Sequence, residues 1–201
     1  VLRIKDFTWN VNANVSYNKN EITELYNGIT EYVASDTGRM VAVGHPLGEF
    51  YLNRYAGVNP TNGDALWYTK DGEITTEYNE SDKVMLGKTH EAPWQGGFGT
   101  TLSWQGFSLS AQFTWVADRW MLNNDRVFQE SNGLFSAYNQ SKRMLYDRWK
   151  KPGDVTDIPR YGVTPQLDSR FLEDASFLRL KNLMLSYTFP QKWLQRTNFL
   201  N

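Results

Sequence analysis

The chain has 201 residues, and its 21 lysines and arginines nearly balance its 22 aspartates and glutamates, which argues against a nucleic-acid partner. It contains no cysteine, so disulfide and thiolate chemistry are excluded within it. Its mean hydropathy is −0.57 and it contains no apolar run of 18 residues, which excludes a transmembrane helix. Aromatic residues make up 15 % of the chain, a content that fits membrane-interface belts or sugar-stacking surfaces.

The first predicted strand covers residues 7–18, where apolar and polar side chains alternate. The apolar positions are Phe7, Trp9, Val11, Ala13, Val15 and Tyr17, and the polar positions between them are uncharged and rich in Asn. Because successive side chains of a strand point to opposite faces, this run has one apolar and one wet face. Its length suits a tilted membrane-spanning strand, although half-buried strands of soluble β-sandwiches alternate in the same way.

A less regular strand is predicted at 47–57, followed by turns. The turn at 59–64 loosely resembles a calcium loop but lacks the spacing and the terminal Glu of an EF-hand, so no metal site is predicted. A small hairpin is predicted around Asp71-Gly72, since this dipeptide favours a tight turn.

The clearest pattern is a pair of alternating runs at 97–104 and 107–116. The two residues between them, Gln105-Gly106, predict a β-hairpin, with aromatic side chains beside the turn where a membrane girdle would lie. A further strand is predicted at 177–189 and ends at Pro190, because proline cannot donate to a strand ladder.

Long polar segments separate these strands, at about 19–46, 58–95 and 118–170. Outer-membrane barrels carry long external loops, whereas a compact soluble domain rarely holds a loop of fifty residues. Within the last segment, apolar spacing predicts a short helix at about 134–150, which Pro152 and Gly153 would end.

No constellation in the sequence points to catalysis. His45 and His90 are the only histidines, and each lacks nearby partners for a zinc site or a catalytic triad. The adjacent Glu173 and Asp174 fit a charged turn better than a glycosidase pair. The chain is therefore predicted not to be an enzyme and to need no cofactor.

Two clusters that mix aromatic rings with amides or charges are the predicted substrate-binding residues. They consist of Trp67, Tyr68 and Asp71, and of Trp120, Asn123, Asn124, Asp125 and Arg126. Rings that stack and amides that hydrogen-bond suit sugar or peptide recognition. The alternative is that these loops pack on one another and that Arg126 pairs with a neighbouring acid.

Four stretches, 44–72, 96–126, 148–162 and 174–194, together resemble the C-terminal barrel region of SusC/RagA-type TonB-dependent transporters of Bacteroidetes. The resemblance implies a 22-stranded barrel with an N-terminal plug in the bacterial outer membrane. It also implies a SusD-like lipoprotein partner and import of oligosaccharides or peptides, driven through TonB.

The expected fold is therefore all-β, with antiparallel strands forming part of a large transmembrane β-barrel and long extracellular loops. Residues 1–201 are expected to be a partial barrel without plug, signal peptide or final strands. These few strands would have to belong to a larger barrel, since unpaired strand edges do not survive in lipid. The side chains expected to line the lumen are Asn10, Asn12, Asn14, Ser108, Ser110 and Gln112. The alternative is a soluble, secreted, glycan-binding β-sandwich, in which the apolar side chains would point into a packed core.

Overall fold

A computed structural model describes residues 1–34, 38–135 and 137–194. The strands are β1 (Leu2–Ile4), β2 (Phe7–Tyr17), β3 (Glu31–Ala34), β4 (Arg39–Ala42), β5 (Glu49–Leu52), β6 (Arg54–Val58), β7 (Ala65–Tyr68), β8 (Ile74–Thr75), β9 (Val84–Thr89), β10 (Trp94–Trp104), β11 (Phe107–Ala117), β12 (Trp120–Leu122), β13 (Leu172–Asp174) and β14 (Phe177–Tyr187). The helices are α1 (Asn124–Gln129), α2 (Lys142–Tyr146) and α3 (Gln191–Leu194), with 3-10 turns at Tyr26–Gly28, Glu80–Asp82 and Ser169–Phe171. The predicted all-β, antiparallel fold is confirmed.

The described residues form two compact units. The first unit holds residues 1–18, 92–118 and 176–194 and is built on one antiparallel sheet with the strand order β1-β2-β10-β11-β14. Its four long strands have 11 residues each, about the length that crosses the hydrocarbon core of a membrane when tilted. We call this sheet the wall sheet.

Alternation within each strand explains why the wall sheet has two unlike faces. Residues directly opposite each other in an antiparallel pair share a face, so the register joins the periodic positions of neighbouring strands into rows. One central row is formed by Ala13, Phe98, Phe113 and Leu180, and the row beside it, on the other face, by Asn12, Gly99, Gln112 and Asn182. In these central rows the registers therefore keep apolar with apolar and polar with polar across all four long strands. Exceptions elsewhere include Met184, opposite Ser110, and Val116 and Phe177, which share a row with Ser16 and Gln95.

A β-bulge in β14 preserves this separation. The pairing with β11 shifts between Gln112 and Phe113, which lie opposite Asn182 and Leu180, so that Lys181 is the extra residue. Without the extra residue, strict alternation would turn Leu180 towards the polar face. The bulge thus aligns the leucines on both sides of it along the apolar face.

The second unit holds residues 19–91 and 119–175, the segments predicted mainly as loops. These segments fold into three small sheets, in the strand orders β3-β4-β5-β9, β6-β7-β8 and β12-β13. Phe50, Leu52 and Leu172 are buried at its core, because they bring the apolar sides of β5 and β13 together. The unit is therefore packed structure rather than irregular loop.

The predicted spanning strand at 47–57 is wrong. The chain there forms β5 and β6, which belong to two different sheets, and changes sheet at the buried Asn53. Asn53 forms an isolated bridge with Asp168, and Glu49 at the start of β5 is also buried, so no face of this segment is uniformly apolar. It therefore packs inside the second unit.

The predicted helix at 134–150 is confirmed only over α2, which begins after Ser141. The Ser141 hydroxyl accepts a hydrogen bond from the Arg143 amide and caps the helix at this point. The small predicted hairpin is present as the antiparallel pair β7–β8. No helix among the described residues has both the length and the apolar character needed to cross a membrane.

Candidate functional site: the two faces of the wall sheet

The apolar face of the wall sheet is uncovered within its unit. Leu183 is 62 % exposed and Leu185 is 70 % exposed, although both lie on a sheet face made of apolar side chains. Other large apolar side chains exposed on this face are Trp9, Val11, Val15, Phe98, Leu109, Leu178 and Leu180. A soluble sandwich would bury these positions against a second sheet, whereas a lipid-facing surface leaves them open.

The polar face carries hydroxyl, amide and glycine positions. Thr101 and Ser110 lie opposite each other with their hydroxyl oxygens 3.1 Å apart, and the Ser103 hydroxyl donates to that of Ser108 at 3.3 Å. The predicted lumen-facing residues Asn10, Asn12, Asn14, Ser108, Ser110 and Gln112 all fall in rows on this face. These side chains provide hydrogen-bond donors and acceptors without acidic charge.

Aromatic side chains mark both ends of the apolar face. Phe7, Trp104, Phe107 and Tyr187 form one row beside the tight turn. At the opposite end of the strands, the ring centroids of Tyr17 and Trp94 lie 4.4 Å apart. Such pairs suit the two interfaces of a membrane, because their rings are apolar and their polar groups favour water.

Among the described residues, the long segments between wall-sheet strands leave from the same end of the strands. Residues 19–91 follow β2 and residues 119–175 follow β11. The two-residue turn between β10 and β11 lies at the opposite end of the strands. Short turns on one side and long segments on the other are typical of outer-membrane barrels. The faces, the aromatic ends and this asymmetry define the wall sheet as part of a membrane β-barrel wall.

The first predicted binding cluster is divided by burial. Trp67 is only 5 % exposed, and its indole N–H donates to the buried Asp168 at 2.8 Å. This ring has no open face for stacking on a ligand, so the structure gives it a packing role instead. Tyr68 is half-buried, with the Arg54 guanidinium 5.5 Å from its ring centroid, and Asp71 is exposed at the hairpin turn.

Burial also sets the ionisation of this region. Desolvation raises the pKa of Asp168, against the opposing effects of Arg170 and the Trp67 hydrogen bond. Desolvation likewise raises the pKa of Tyr78 to about 12, and the Tyr78 hydroxyl donates to the Leu167 carbonyl. Asp168 is buried and Tyr78 is half-buried, and both are hydrogen-bonded within the second unit.

The second predicted cluster is largely engaged within the protein. Asn123 caps α1 by accepting from the Arg126 amide, and its side-chain amide donates to Glu173 at 3.0 Å. The Lys88 ammonium lies 3.4 Å from the centroid of the half-buried Trp120 ring. Asn124 and Asp125 are exposed on α1 and accessible to a ligand.

Arg126 pairs with acids, as the alternative interpretation of the sequence anticipated. Its guanidinium donates to both oxygens of the buried Glu130, at 3.1 and 3.0 Å, and to Glu173 at 2.7 Å. Burial opposes the charge on Arg126, but these hydrogen bonds outweigh it and raise its pKa. Arg143 donates to Glu130 at 2.8 Å and to Asp157, extending the network.

The remaining candidates for chemistry also have structural partners. The His45 ring lies 2.9 Å from the buried Glu49 carboxylate, and the His90 ring lies 3.3 Å from the Gly48 carbonyl. In the turn at 59–64, Asp64 accepts from Arg160 at 2.9 Å. Across the described ranges, no three histidines, aspartates or glutamates are grouped so that they could hold a metal ion.

The sequence predictions did not include two features of the polar face, the recess at Gly97 and Gly99 and the bulge at Lys181. Gly97 and Gly99 leave a recess between the asparagines of β2 and Gln112 of β11, and Lys181 lies beside it. A signal for the bulge is present in the sequence, because Leu178 and Leu180 are out of phase with Leu183 and Leu185.

Known proteins agree with this class assignment. No protein-family model matches the chain. TonB-dependent receptor P3 of Formosa agariphila is 26 % identical over 96 % of this chain and 21 % of its own length, and TonB-dependent receptor SusC of Bacteroides thetaiotaomicron is 25 % identical over 96 % and 20 %. A structure of the RagAB peptide transporter matches with a TM-score of 0.88 and 37 % identity, over 96 % of this chain and 22 % of that one. A structure of the RagAB peptide importer in the "closed-closed" state matches with a TM-score of 0.87 and 36 % identity, over 99 % of this chain and 23 % of that one.

These matches confirm the resemblance to SusC/RagA-type TonB-dependent receptors over nearly the whole chain, and with it the predicted outer-membrane location. The chain spans about a fifth of the length of the relatives that it matches. Their names describe receptors and a transporter, none of them an enzyme.

Proposed function

We propose that residues 1–201 are part of the barrel of an outer-membrane importer and that the wall sheet forms a section of its transmembrane wall. The observation that carries the proposal is the register of the four long strands, which separates an exposed apolar face from a polar one. The apolar face would contact lipid and the polar face would line the lumen. A plug, a TonB contact and further strands would lie outside this segment.

The orientation follows from the turns. The short turn at Gln105-Gly106 would face the periplasm, because outer-membrane barrels have short periplasmic turns. The segments 19–91 and 119–175, which follow the other ends of the strands, would then be extracellular. Tyr68, Asp71, Trp120, Asn124 and Asp125 are the remaining proposed ligand contacts from the predicted clusters, with Trp67, Asn123 and Arg126 in supporting positions.

Peptides and oligosaccharides are the two proposed substrate classes. The 37 % identity to the RagAB peptide transporter supports peptides as the substrate class. The identity to SusC is lower, at 25 %, and does not decide between the two classes. RagAB also supports a SusD-like lipoprotein as the partner, corresponding to its second component. TonB would supply the energy through other regions of the full-length protein.

Deletion of the gene in the source bacterium tests the proposal. The deletion strain and its parent are supplied separately with a peptide digest and with an oligosaccharide mixture, and depletion of each mixture from the medium is followed by mass spectrometry. Import predicts that depletion of one mixture slows on deletion and recovers on complementation. Equal depletion of both mixtures by the two strains would contradict the proposed function.

Affinity purification tests the partner separately. The full-length protein, tagged at an exposed position, is extracted from outer membranes in mild detergent. We expect a surface lipoprotein to co-purify in a constant ratio. Purification of the protein alone, from membranes in which it is intact and assembled, would contradict the partnership while leaving the import proposal in place.

The glycan-binding sandwich is the weaker alternative. It requires a second sheet over the apolar face, and in the first unit that face is open. Its expected stacking platforms are Trp67 and Trp120, but the Trp67 ring is buried. The Trp120 ring is half-buried and has the Lys88 ammonium 3.4 Å from its centroid. No feature of the described residues favours it over the membrane wall.

A further inference from the structure

A recess of about 470 Å³ lies on the polar face of the wall sheet. It is centred on Gly97 and Gly99 of β10, where two side chains are missing from adjacent polar rows. The polar and charged side chains around it are Asn12, Asn14, Gln112, Thr114 and Lys181. This recess belongs entirely to the first unit.

The glycines create the recess by close packing of their neighbours. Gly99 lies opposite Asn12 on one side and Gln112 on the other, and a β-carbon added there would come within 2.6 Å of the Asn12 side-chain oxygen. Gly97 lies between Asn14 and Thr114 in the same way, and its amide donates to the Asn14 side chain at 3.0 Å. Amide groups therefore surround a space that any larger residue would reduce.

The bulge in β14 places a cation at the rim. Lys181 is the extra residue of the bulge, and it lines the recess on the polar side of the sheet. Its side chain is exposed, and among the residues that the structure describes it forms no ion pair. An exposed ammonium beside several amides is able to bind an anionic group.

The charge of the sheet favours the same ligand. The sequences of β1, β2, β10, β11 and β14 contain no aspartate or glutamate. Arg3, Arg179 and Lys181 are their only charged residues, and all three lie on the polar side, with Arg3 opposite Thr8 and Arg179 opposite Thr114. These five strands therefore carry only positive charge on their polar side, which favours an anionic ligand over a cationic one.

We propose that the recess is a binding subsite for a carboxylate group of the transported ligand. The Lys181 ammonium pairs with the carboxylate, and the amides of Asn12, Asn14 and Gln112 bind neighbouring polar groups of the ligand. The subsite rests on the proposed function, since it requires that the polar face line the import path. The carboxylate comes either from an acidic peptide or from an acidic oligosaccharide.

Binding to the purified full-length protein tests the subsite with two probe pairs. The peptide pair is Ala-Asp-Glu-Ala-Ala, with a free C-terminal carboxylate, and Ala-Asn-Gln-Ala-Ala with an amidated C-terminus. The sugar pair is tetragalacturonate and its methyl ester. We expect the carboxylate member of one pair to bind about tenfold more tightly than its neutral counterpart, and Lys181→Gln to remove that preference. The pair that shows the preference identifies the source of the carboxylate.

Three further variants separate the subsite from general charge and folding effects. Lys181→Arg keeps the charge and should retain the preference, whereas Gly99→Ala reduces the space and should weaken binding with the lysine present. Arg3→Gln makes the same change in charge on the same face at the edge strand β1 and should change affinity by less than about twofold. Equal binding of charged and neutral probes, no binding of any probe, or an unchanged preference in Lys181→Gln would overturn the subsite.

Uptake distinguishes failure of the subsite from failure of the proposed function. If deletion of the gene slows import but cells carrying Lys181→Gln take up charged and neutral probes as the parent does, only the subsite is wrong. If deletion leaves uptake of every substrate unchanged, the proposed function is wrong as well.

Discussion

The hydroxyl oxygens of Ser110 and Thr101 lie 3.1 Å apart across the β10–β11 pair, while Ala111, the next residue of β11, belongs to the opposite face between Thr100 and Leu183. One step along the backbone thus changes the surroundings from a hydroxyl ladder to an exposed apolar surface. This relationship recurs along the long strands and is the basis of the membrane assignment.

Substitution of these two neighbours tests the assigned faces. Ala111→Arg places a charge near the middle of the apolar face and should cost roughly 2–4 kcal/mol if that face contacts lipid. Ser110→Arg, the matched control, places the same charge on the polar face and should be tolerated better. The measurement is the fraction of protein in the outer membrane that shows heat-modifiable migration in electrophoresis; an equal loss in both variants would refute the assigned faces.

Glu130 forms ion pairs with two arginines and should therefore be important for the stability of the second unit. Its side chain is 1 % exposed and accepts from Arg126 and Arg143. Glu130→Gln leaves both guanidinium groups without their shared carboxylate and should cost about 2–3 kcal/mol, less than for a fully buried pair because the Arg143 side chain is 35 % exposed.

Limited trypsin digestion of the full-length protein in membranes measures this effect. Cleavage after the exposed Lys150 should accelerate at least about tenfold in Glu130→Gln, because local opening becomes more frequent. Asp125→Asn makes the same change in charge at an exposed position and should leave the rate nearly unchanged. Identical rates for the two variants would show that the network does not stabilise this unit.

Trp67→Phe separates the packing role of this residue from the ligand contact predicted from sequence. The substitution keeps a ring but removes the N–H that donates to buried Asp168, and an unsatisfied buried acceptor costs about 1–3 kcal/mol. Hydrogen exchange of peptides covering 65–68 should therefore accelerate, whereas Tyr68→Phe should leave it unchanged. Loss of ligand affinity with normal exchange would instead support a direct contact.

The Glu173 carboxylate should make stability depend on pH. Hydrogen bonds from Asn123 and then Arg126 lower its pKa, so its contribution is complete above the ordinary glutamate pKa of about 4.3 and is lost as the pH falls through the lowered value. At pH 7, Glu173→Gln should exchange faster than the unsubstituted protein in the peptide covering 119–130. The difference should disappear as the pH falls through the lowered pKa of Glu173, because the carboxyl is then protonated. A difference that persists at still lower pH would contradict the ion-pair account.

Alternation was sufficient to predict most of the wall sheet from sequence. Strands at 7–18, 107–116 and 177–189 were placed within two residues of β2, β11 and β14, because two-sided surroundings impose a period of two. The start of β10 was missed, since Gly96 interrupts the pattern where a β-carbon would contact the Asn14 carbonyl at 2.3 Å. The short strand β1 carries too few residues to show a period.

The second unit was much less predictable because its determinants are non-local. Arg126 meets Glu173, 47 residues away, and Trp67 meets Asp168, 101 residues away. The local sequence does not show these partners, so Trp67 and Arg126 were predicted as ligand contacts, with pairing of Arg126 to an acid as the alternative. The misassigned segment 47–57 has the same cause, since the bridge from Asn53 to Asp168 decides where the chain changes sheet.

Spin labelling along β2 is the most direct test of the central claim that the wall sheet separates lipid from the lumen. Single cysteines are introduced at Asn10, Val11, Asn12 and Ala13 of the full-length protein and labelled with a nitroxide in lipid bilayers. The account predicts that collisions with oxygen dominate at Val11 and Ala13, and collisions with a water-soluble nickel complex at Asn10 and Asn12. Equal accessibility at neighbouring positions, or shielding of Val11 and Ala13 from both reagents as in a packed core, would contradict it.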